Sequence, residues 1–515
     1  MNGAESLIKT LLNNGVEVCF TNPGTSEMHF VAALDSMPGM RAVLGLFEGV
    51  ATGAADGYAR MAGKPACTLL HLGAGLGNGI ANLHNARRAY TPVVNIVGDH
   101  ATYHKQYDAP LQSDIESIAR GVSGWVRTTA DPRSVAADAA EAVAAAMGPP
   151  GRVATLILPA DNSWSEAAEE AWPANPPVTA RTVPAERIGR IAAILQKKEP
   201  ALFLLNGTVL LAPGLELAGR IAGKSGAKLY SETFAARVQR GAGAIPIERF
   251  PYFGDQAREV MASVRHLILV GAKAPVAFFA YPGQPSNFTP DGCQIHTLAR
   301  LDEDGTGALR MLADALGAGA EHGRPAEPFR PPLPTGALDS ASVAATLGAL
   351  LPERAIVCDE AVTAGFAIPA ATQGAPLHDW LSLTGGAIGQ GLPLAIGAAI
   401  ACPDRKVVSL EGDGSAMYTI QALWTQAREN LDITTVIFNN ASYAILQFEL
   451  MRVGVMQAGP NANKVLNLGN PRLNFAEMAR AMGVPAARVT SAAEFNDKFA
   501  EAMAQRGPRL IEVML

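Results

Sequence analysis

Short runs of β-branched and aliphatic residues, each ended by Gly, Asp or Asn, alternate along this chain with longer Ala-rich stretches whose apolar positions recur at helical period. An apolar run too short for a helix and without polar alternation predicts a strand buried on both faces, as in parallel sheets covered by crossover helices. The predicted fold class is therefore α/β, with doubly wound parallel sheets. The predicted strands fall into three groups. The first third carries VEVCFT, RAVLGL, ACTLLHL, VVNIVG and RVATLILP; the middle third carries ALFLLNG, AKLYSE, HLILVG and CQIHTL; the last third carries AIVCDE, KVVSLEGD, TTVIFNN and RLIEVML. The opening MNGAESLIKTLLNNG has the apolar stripe of an amphipathic helix.

Two proline-rich stretches, Ala171 to Glu186 and Gly323 to Gly336, separate the groups, and proline at that density blocks continuation of helix or sheet. Three domains are expected, at 1–180, 181–335 and 336–515. A length of 515 residues agrees, being too great for one core. Hydrophobic residues at 49% and charged residues at 17% exclude wholesale disorder, and a net charge of -6 offers no basic surface for nucleic acid or an anionic membrane. The most apolar run, LPLAIGAAIACP from Leu392, falls short of the roughly 20 residues that a membrane span needs. No basic leader precedes an apolar stretch at the N-terminus. Five cysteines (Cys19, Cys67, Cys293, Cys358, Cys402) form no CxxC pair, and several sit inside strand-like runs, which reads as reduced thiols used as small hydrophobes. The expectation is a cytoplasmic protein whose partners are small molecules.

Open α/β sheets present their functional loops at the carboxyl ends of strands. One predicted strand ends in LEGDGS, where Gly412 and Gly414 remove side chains on either side of Asp413 and the following helix offers unpaired N–H groups to an anion. Asp413 itself calls for a cation, and a hard ion such as Mg2+ takes few protein carboxylates. Asn440 follows 27 positions later, after one helix and one return strand, so it lands at the same sheet edge. GDGS alone is an ordinary turn; the combination is not. A nucleotide reading fails on spacing: in GAGLGNG (Gly73 to Gly79) Asn78 stands where GxGxxG needs its third glycine, and no GxxxxGK[ST] occurs.

GDG followed by NN at this distance resembles the signature of thiamine-diphosphate-dependent enzymes, and the chain is similar, in domain order and over its full length, to the 2-keto-acid decarboxylase and acetolactate synthase family. The resemblance implies that Asp413, the side-chain oxygen of Asn440 and the main-chain carbonyl of Ser442 hold Mg2+. It assigns Gly412, Gly414, Ser415 and Tyr443 to the cofactor-binding segment, with Ser415 and nearby amides on the diphosphate. Glu48, which alone reads as a helix-start residue, resembles the glutamate that activates the cofactor through its aminopyrimidine. In TGGAIGQG, Ile388 is implied as the wedge that bends the cofactor, and the carbonyl of Gly386 as acceptor for its exocyclic amine. With Glu48 and Asp413 in different domains, the family arrangement implies a site between subunits of a homodimer or homotetramer.

The substrate side rests on NPGTSE, LLHLGAG and LQSD, each of which alone is a loop, a strand-end histidine or a surface amide. NPGTSE and LLHLGAGLGNG resemble benzoylformate decarboxylase, while Gln112 resembles the acetolactate synthase pattern. Catalytic roles are thereby implied for Glu48, His71, Thr25 and Gln112, cofactor contacts for Pro23 and Gly24, and pocket walls for Leu446 and Phe279. APVAFFAYPG departs from benzoylformate decarboxylase, because Phe278 and Phe279 replace its second histidine. The expected function is a thiamine-diphosphate- and Mg2+-dependent lyase or transferase that decarboxylates a 2-keto acid or ligates its acyl unit to an aldehyde or keto acid. A second reading is an acetolactate-synthase-like carboligase on pyruvate carrying FAD, for which GTVLLAPG gives no firm dinucleotide signal. A third is a non-catalytic cofactor-binding or regulatory subunit, against which intact Glu48, Asp413 and Asn440 stand.

Overall fold

The computed structural model describes residues 1–167 and 171–515, and every predicted run forms a strand in one of three sheets. The first sheet has the order Arg41–Leu44, Val18–Asn22, Ala66–His71, Val93–Asp99, Val153–Pro159, Trp125–Thr128, all parallel. The second runs Glu248–Arg249, Lys228–Ser231, Ala201–Leu205, His266–Val270, Gln294–Ala299, also parallel. The third runs Ala486–Val489, Arg509–Met514, Ile433–Asn439, Val407–Gly412, Ile356–Glu360, His378–Ser382, Val238–Arg240. Its last pair is antiparallel, so the middle segment lends one edge strand to the third sheet. This α/β architecture of helix-covered, parallel-dominated sheets is the fold class the residue pattern predicts. Among the described residues no helix is long and apolar enough to cross a membrane.

Topology fixes where ligands can bind. In the first sheet the chain leaves Val18–Asn22 for Arg41–Leu44 on one side and returns to Ala66–His71 on the other, so the ends of the first and last of these strands flank a switch point. In the third sheet Ile356–Glu360 lies between His378–Ser382 and Val407–Gly412, giving a second one. Crevices open at such points beyond the carboxyl ends of strands.

The first and third sheets share one core, in which helix Glu48–Ala62 lies along helix Gly391–Ala401. A Cβ on Gly57 would fall 2.0 Å from the carbonyl oxygen of Leu394, and one on Gly397 1.9 Å from that of Ala54. Glycine at both places is what lets the two backbones touch. A buried ion pair locks this contact: Arg60 and Asp56, with side chains 2% and 0% exposed, meet at 2.6 Å. Arg60 also donates to Ser382 O (2.8 Å) and Thr384 Oγ1 (3.0 Å), and Gln390 Nε2 donates to Asp56 Oδ2 (2.6 Å). Both ends of the glycine-rich loop 384–390 are thus tied to one charge pair.

Candidate active site

Glu48 is the first residue of helix Glu48–Ala62, and it is buried. Asn78 Nδ2 donates to its Oε2 at 2.9 Å. A Cβ on Gly75 would sit 3.2 Å from Glu48 Oε1 and 3.3 Å from His71 Cβ, so this glycine leaves the room in which the two side chains come together. His71 ends strand Ala66–His71 and is the N-cap of helix Leu72–Ala89. Its ring lies against Gly24, where a Cβ would be 2.3 Å from the ring.

Buried Glu27 accepts from Gly24 N (2.8 Å) and Ser26 Oγ (2.5 Å), and its Oε2 lies 2.8 Å from His71 Nδ1. A carboxylate there holds the imidazole proton on Nδ1 and leaves Nε2 as the proton-accepting nitrogen. Ser26 Oγ is 3.2 Å from the same Nδ1, whereas Thr25 is exposed. Pro23 leads into this turn, half-buried. Gln112 has a buried Oε1 that accepts from no described residue, and the neighbouring Ser113 Oγ packs on Gly73 at the start of the His71-capped helix.

At the third sheet, Gly412 pairs in register with Phe438, which brings Asp413 and Asn440 to one edge. The single helix expected after GDGS is two, Asp413–Ala416 and Ala422–Arg428, with a turn between them. Asp413 Oδ1 accepts from Gly414 N at 2.8 Å, while Oδ2 is buried and accepts from no described residue. Burial pushes the Asp413 carboxyl upward, opposed by the backbone N–H groups of Gly414, Ala441 and Ser442. Asn440 Oδ1 accepts from Ser442 N (3.0 Å), closing the turn beside it. A Cβ on Gly414 would meet the Tyr443 ring at 2.3 Å, so only glycine lets that ring cover the buried Ser415 segment. At Gly412 a Cβ would come no nearer than 3.7 Å to anything, and the demand for glycine there is not steric within the chain.

Two further carboxyls lie under this edge, and nothing in the local pattern pairs them. Glu360 accepts from Gly389 N (2.7 Å) and Gly391 N (2.6 Å), and burial pushes it up to about 7. Burial and the Glu360 charge raise Glu411 well above the carboxylate range.

Gly386 holds φ +77°, a left-handed conformation that suits glycine. Asn85 clasps the next residue, Ala387, from both sides (2.7 and 3.2 Å), and Asn82 Nδ2 donates to Gly389 O (3.2 Å), so half-buried Ile388 projects from a pinned loop. Phe278 covers Gly386: a Cβ there would lie 2.8 Å from its Cζ. Phe279 is 53% exposed and meets Phe278 edge-on at 4.8 Å, so the nearer aromatic wall is Phe278. Leu446 is exposed on helix Ala444–Arg452.

The site chemistry is oxygen-rich and carboxylate-poor. An orphaned Asp413 oxygen, an amide oxygen and a main-chain carbonyl are hard ligands, the set a small divalent cation takes. Among the described residues no group of three or more His, Cys, Asp or Glu is placed to hold a metal ion.

Comparison with known proteins identifies the family. Residues 1–119 match the family described as "Thiamine pyrophosphate enzyme, N-terminal TPP binding domain", and 364–513 match its C-terminal TPP binding domain. A Mycobacterium tuberculosis protein whose name is that of an acetolactate synthase large subunit, IlvX, is 55% identical over 100% of this chain and 99% of its own. The benzoylformate decarboxylase of Pseudomonas aeruginosa is 28% identical over 98% of this chain and 97% of its own. The solved thiamine diphosphate-dependent 4-hydroxybenzoylformate decarboxylase of Rhodococcus jostii RHA1 superposes with a TM-score of 0.87 at 24% identity, covering 100% of this chain and 99% of that one, and so shares the fold. Matched at both ends by the cofactor-binding domains and throughout by a relative at 55% identity, the chain belongs to the thiamine pyrophosphate enzymes of the decarboxylase and acetolactate synthase type.

Proposed function

We propose that this enzyme uses thiamine diphosphate and Mg2+ to cleave a 2-keto acid next to its keto group, with loss of CO2, and that it does so at a site shared between two subunits. The observation that carries the reading is Asp413: a buried carboxylate oxygen without a partner, beside Asn440 and the amides that follow it, is a position held for a cation. Asp413, the Asn440 side chain and the Ser442 carbonyl would hold Mg2+. Ser415 and the amides at Gly412 and Gly414 would hold the diphosphate.

The bound cofactor supplies the electron sink for the C–C cleavage. The chain's own residues do the rest. Glu48, water-poor and steadied by Asn78, holds a proton at the aminopyrimidine, while Ile388 and Gly386 fix the ring's position. His71 offers Nε2 for proton transfer at the substrate because Glu27 occupies Nδ1. Gln112, with its unpartnered buried Oε1, orients the substrate. Thr25 would act with His71 on proton handling and carboxylate orientation, and Ser26 supports His71. Leu446 and the aromatic pair Phe278 and Phe279 line the apolar wall.

A homodimer or homotetramer, with Glu48 of one subunit facing Asp413 of another, is the arrangement that the family resemblance implies. A second reading is carboligation of pyruvate with FAD on the middle segment, of which the acetolactate synthase part alone draws on the name of the 55%-identical relative. Yellow colour in the purified protein would favour it. The deciding experiment supplies thiamine diphosphate and Mg2+ and measures CO2 release from 2-keto acids, pyruvate and benzoylformate included. Release with aldehyde as product supports decarboxylation; acetolactate from pyruvate supports the second reading; no turnover of any keto acid refutes both.

A further inference from the structure

Beside helix Ala444–Arg452 lies a chamber of about 640 Å3, closed on the other side by the middle segment and walled by Phe253, Phe278, Tyr281, Phe366 and Phe448. That volume is ample for a small ligand. Its aromatic walls are a connected set: Phe253 stands edge-on to Phe366 at 5.9 Å, and Phe278 covers Gly386 of the pinned loop. The chamber therefore borders the candidate cofactor site through a single ring.

Arg452 is the charge in this wall that no acidic side chain pairs among the described residues. Its guanidinium lies over Phe253 (4.5 Å) and near the Tyr281 ring (5.7 Å), and it makes no hydrogen bond or ion pair with any described residue. The neighbouring Glu449 is already engaged by the hydroxyls of Tyr252 and Tyr281, and Arg258 by Asp255 and Gln284. Stacking uses the face of a guanidinium and leaves its in-plane N–H fork unspent, the arrangement that grips a carboxylate in two places.

We propose that the chamber binds a planar aromatic anion, its ring among the phenylalanines and its carboxylate on Arg452. Two sources share that chemistry: the far end of a keto acid whose aromatic ring bears a second carboxylate, held at the catalytic site, or a separate aromatic acid. The first rests on the keto-acid reading above; the chamber itself does not.

Calorimetric titration of the full-length, cofactor-loaded protein with benzoate and with its neutral counterpart benzamide tests it. Benzoate is expected to bind at least about tenfold more tightly than benzamide, and Arg452→Leu to abolish that preference, as loss of a charge-assisted hydrogen bond does. Arg452→Lys keeps the charge without the fork and is expected to restore only part of it, while Phe448→Ala weakens both ligands. Benzoate competing with the keto acid in turnover assigns the chamber to the substrate's far end; non-competitive inhibition assigns it to a separate acid. Absence of benzoate binding, or a preference untouched by Arg452→Leu, overturns the proposal even where keto acids are turned over. Conversely, Arg452-dependent binding stands even if no keto acid is consumed.

Discussion

Removing Arg60 should loosen the active-site loop and the junction between the first and third sheets at once. Arg60→Met keeps most of the aliphatic stem and deletes the charge. It leaves Asp56, whose side chain is 0% exposed, with Gln390 Nε2 as its remaining partner, and it strips Ser382 O and Thr384 Oγ1 of their donors. Breaking a buried pair from one side costs about 3–5 kcal/mol, because a desolvated charge is left behind. Neutralising that charge as well, in Asp56→Asn with Arg60→Met, is expected to recover about 2 kcal/mol, since the two residues form one network. The loop should respond too: with Thr384 released from the guanidinium and Gln390 left as the sole partner of a buried charge, thiamine diphosphate binding is expected to weaken by about tenfold, or ~1.4 kcal/mol. Urea unfolding followed by tryptophan fluorescence gives the stability terms, and calorimetry with the cofactor gives the affinity. A cost under about 1 kcal/mol for the single variant, or strict additivity in the double, would show that the pair does not lock the junction.

Other perturbations reach different parts of the account. Glu48→Gln is expected to keep cofactor binding while lowering turnover by roughly 100- to 10,000-fold, the usual worth of a positioned acid or base; steady-state kinetics beside cofactor titration checks this, and full activity would remove Glu48 from the activating role. Gly414→Ala places a methyl 2.3 Å from the Tyr443 ring and is expected to cost about 1–3 kcal/mol by overpacking, with weaker cofactor binding, read by urea unfolding and calorimetry. Burial, aided by Arg240 and Arg405 against the Pro376 carbonyl and Asp379, depresses His378 to about 4. The unfolded imidazole, near 6.5, takes up its proton first, so the stability that neutral His378 contributes above pH 6.5 is lost as pH falls towards 4, by about 2 kcal/mol between pH 7 and 5. His378→Gln should flatten that part of the pH dependence of the urea midpoint, and an unchanged slope would contradict it.

The apolar runs that became strands were legible because burial on both faces leaves an unbroken hydrophobic stretch. His378–Ser382 escaped because HDWLS carries three polar residues whose burial comes from tertiary partners, the ion pairs of Asp379 with Arg237 and Arg405 among them. The Asp413 and Asn440 edge could be read from one helix and one strand of separation, yet the break in that helix could not, since TIQALWTQ is a good helical sequence that the turn at Gly389 bends through Thr419. Glu27 was read only as part of a turn. Its hold on His71 depends on the ends of two neighbouring strands bringing together residues 44 positions apart, which local pattern does not encode. Phe278 and Phe279 illustrate the same limit: outside regular structure no periodicity says which of two adjacent rings faces inward. Gly75 works the other way. It failed as part of a dinucleotide motif, and the structure gives it a different use, as the gap that admits Glu48 and His71 together.

Mixing two inactive variants tests the central claim most directly. Glu48→Gln and Asp413→Ala each damage every site when alone. If each site takes Glu48 from one subunit and Asp413 from the other, subunit exchange creates heterodimers with one undamaged site in two, and keto-acid turnover in an equal mixture should recover to about a quarter of the parent's. Exchange verified by mass spectrometry without any recovered turnover would mean that both residues serve a site within one chain.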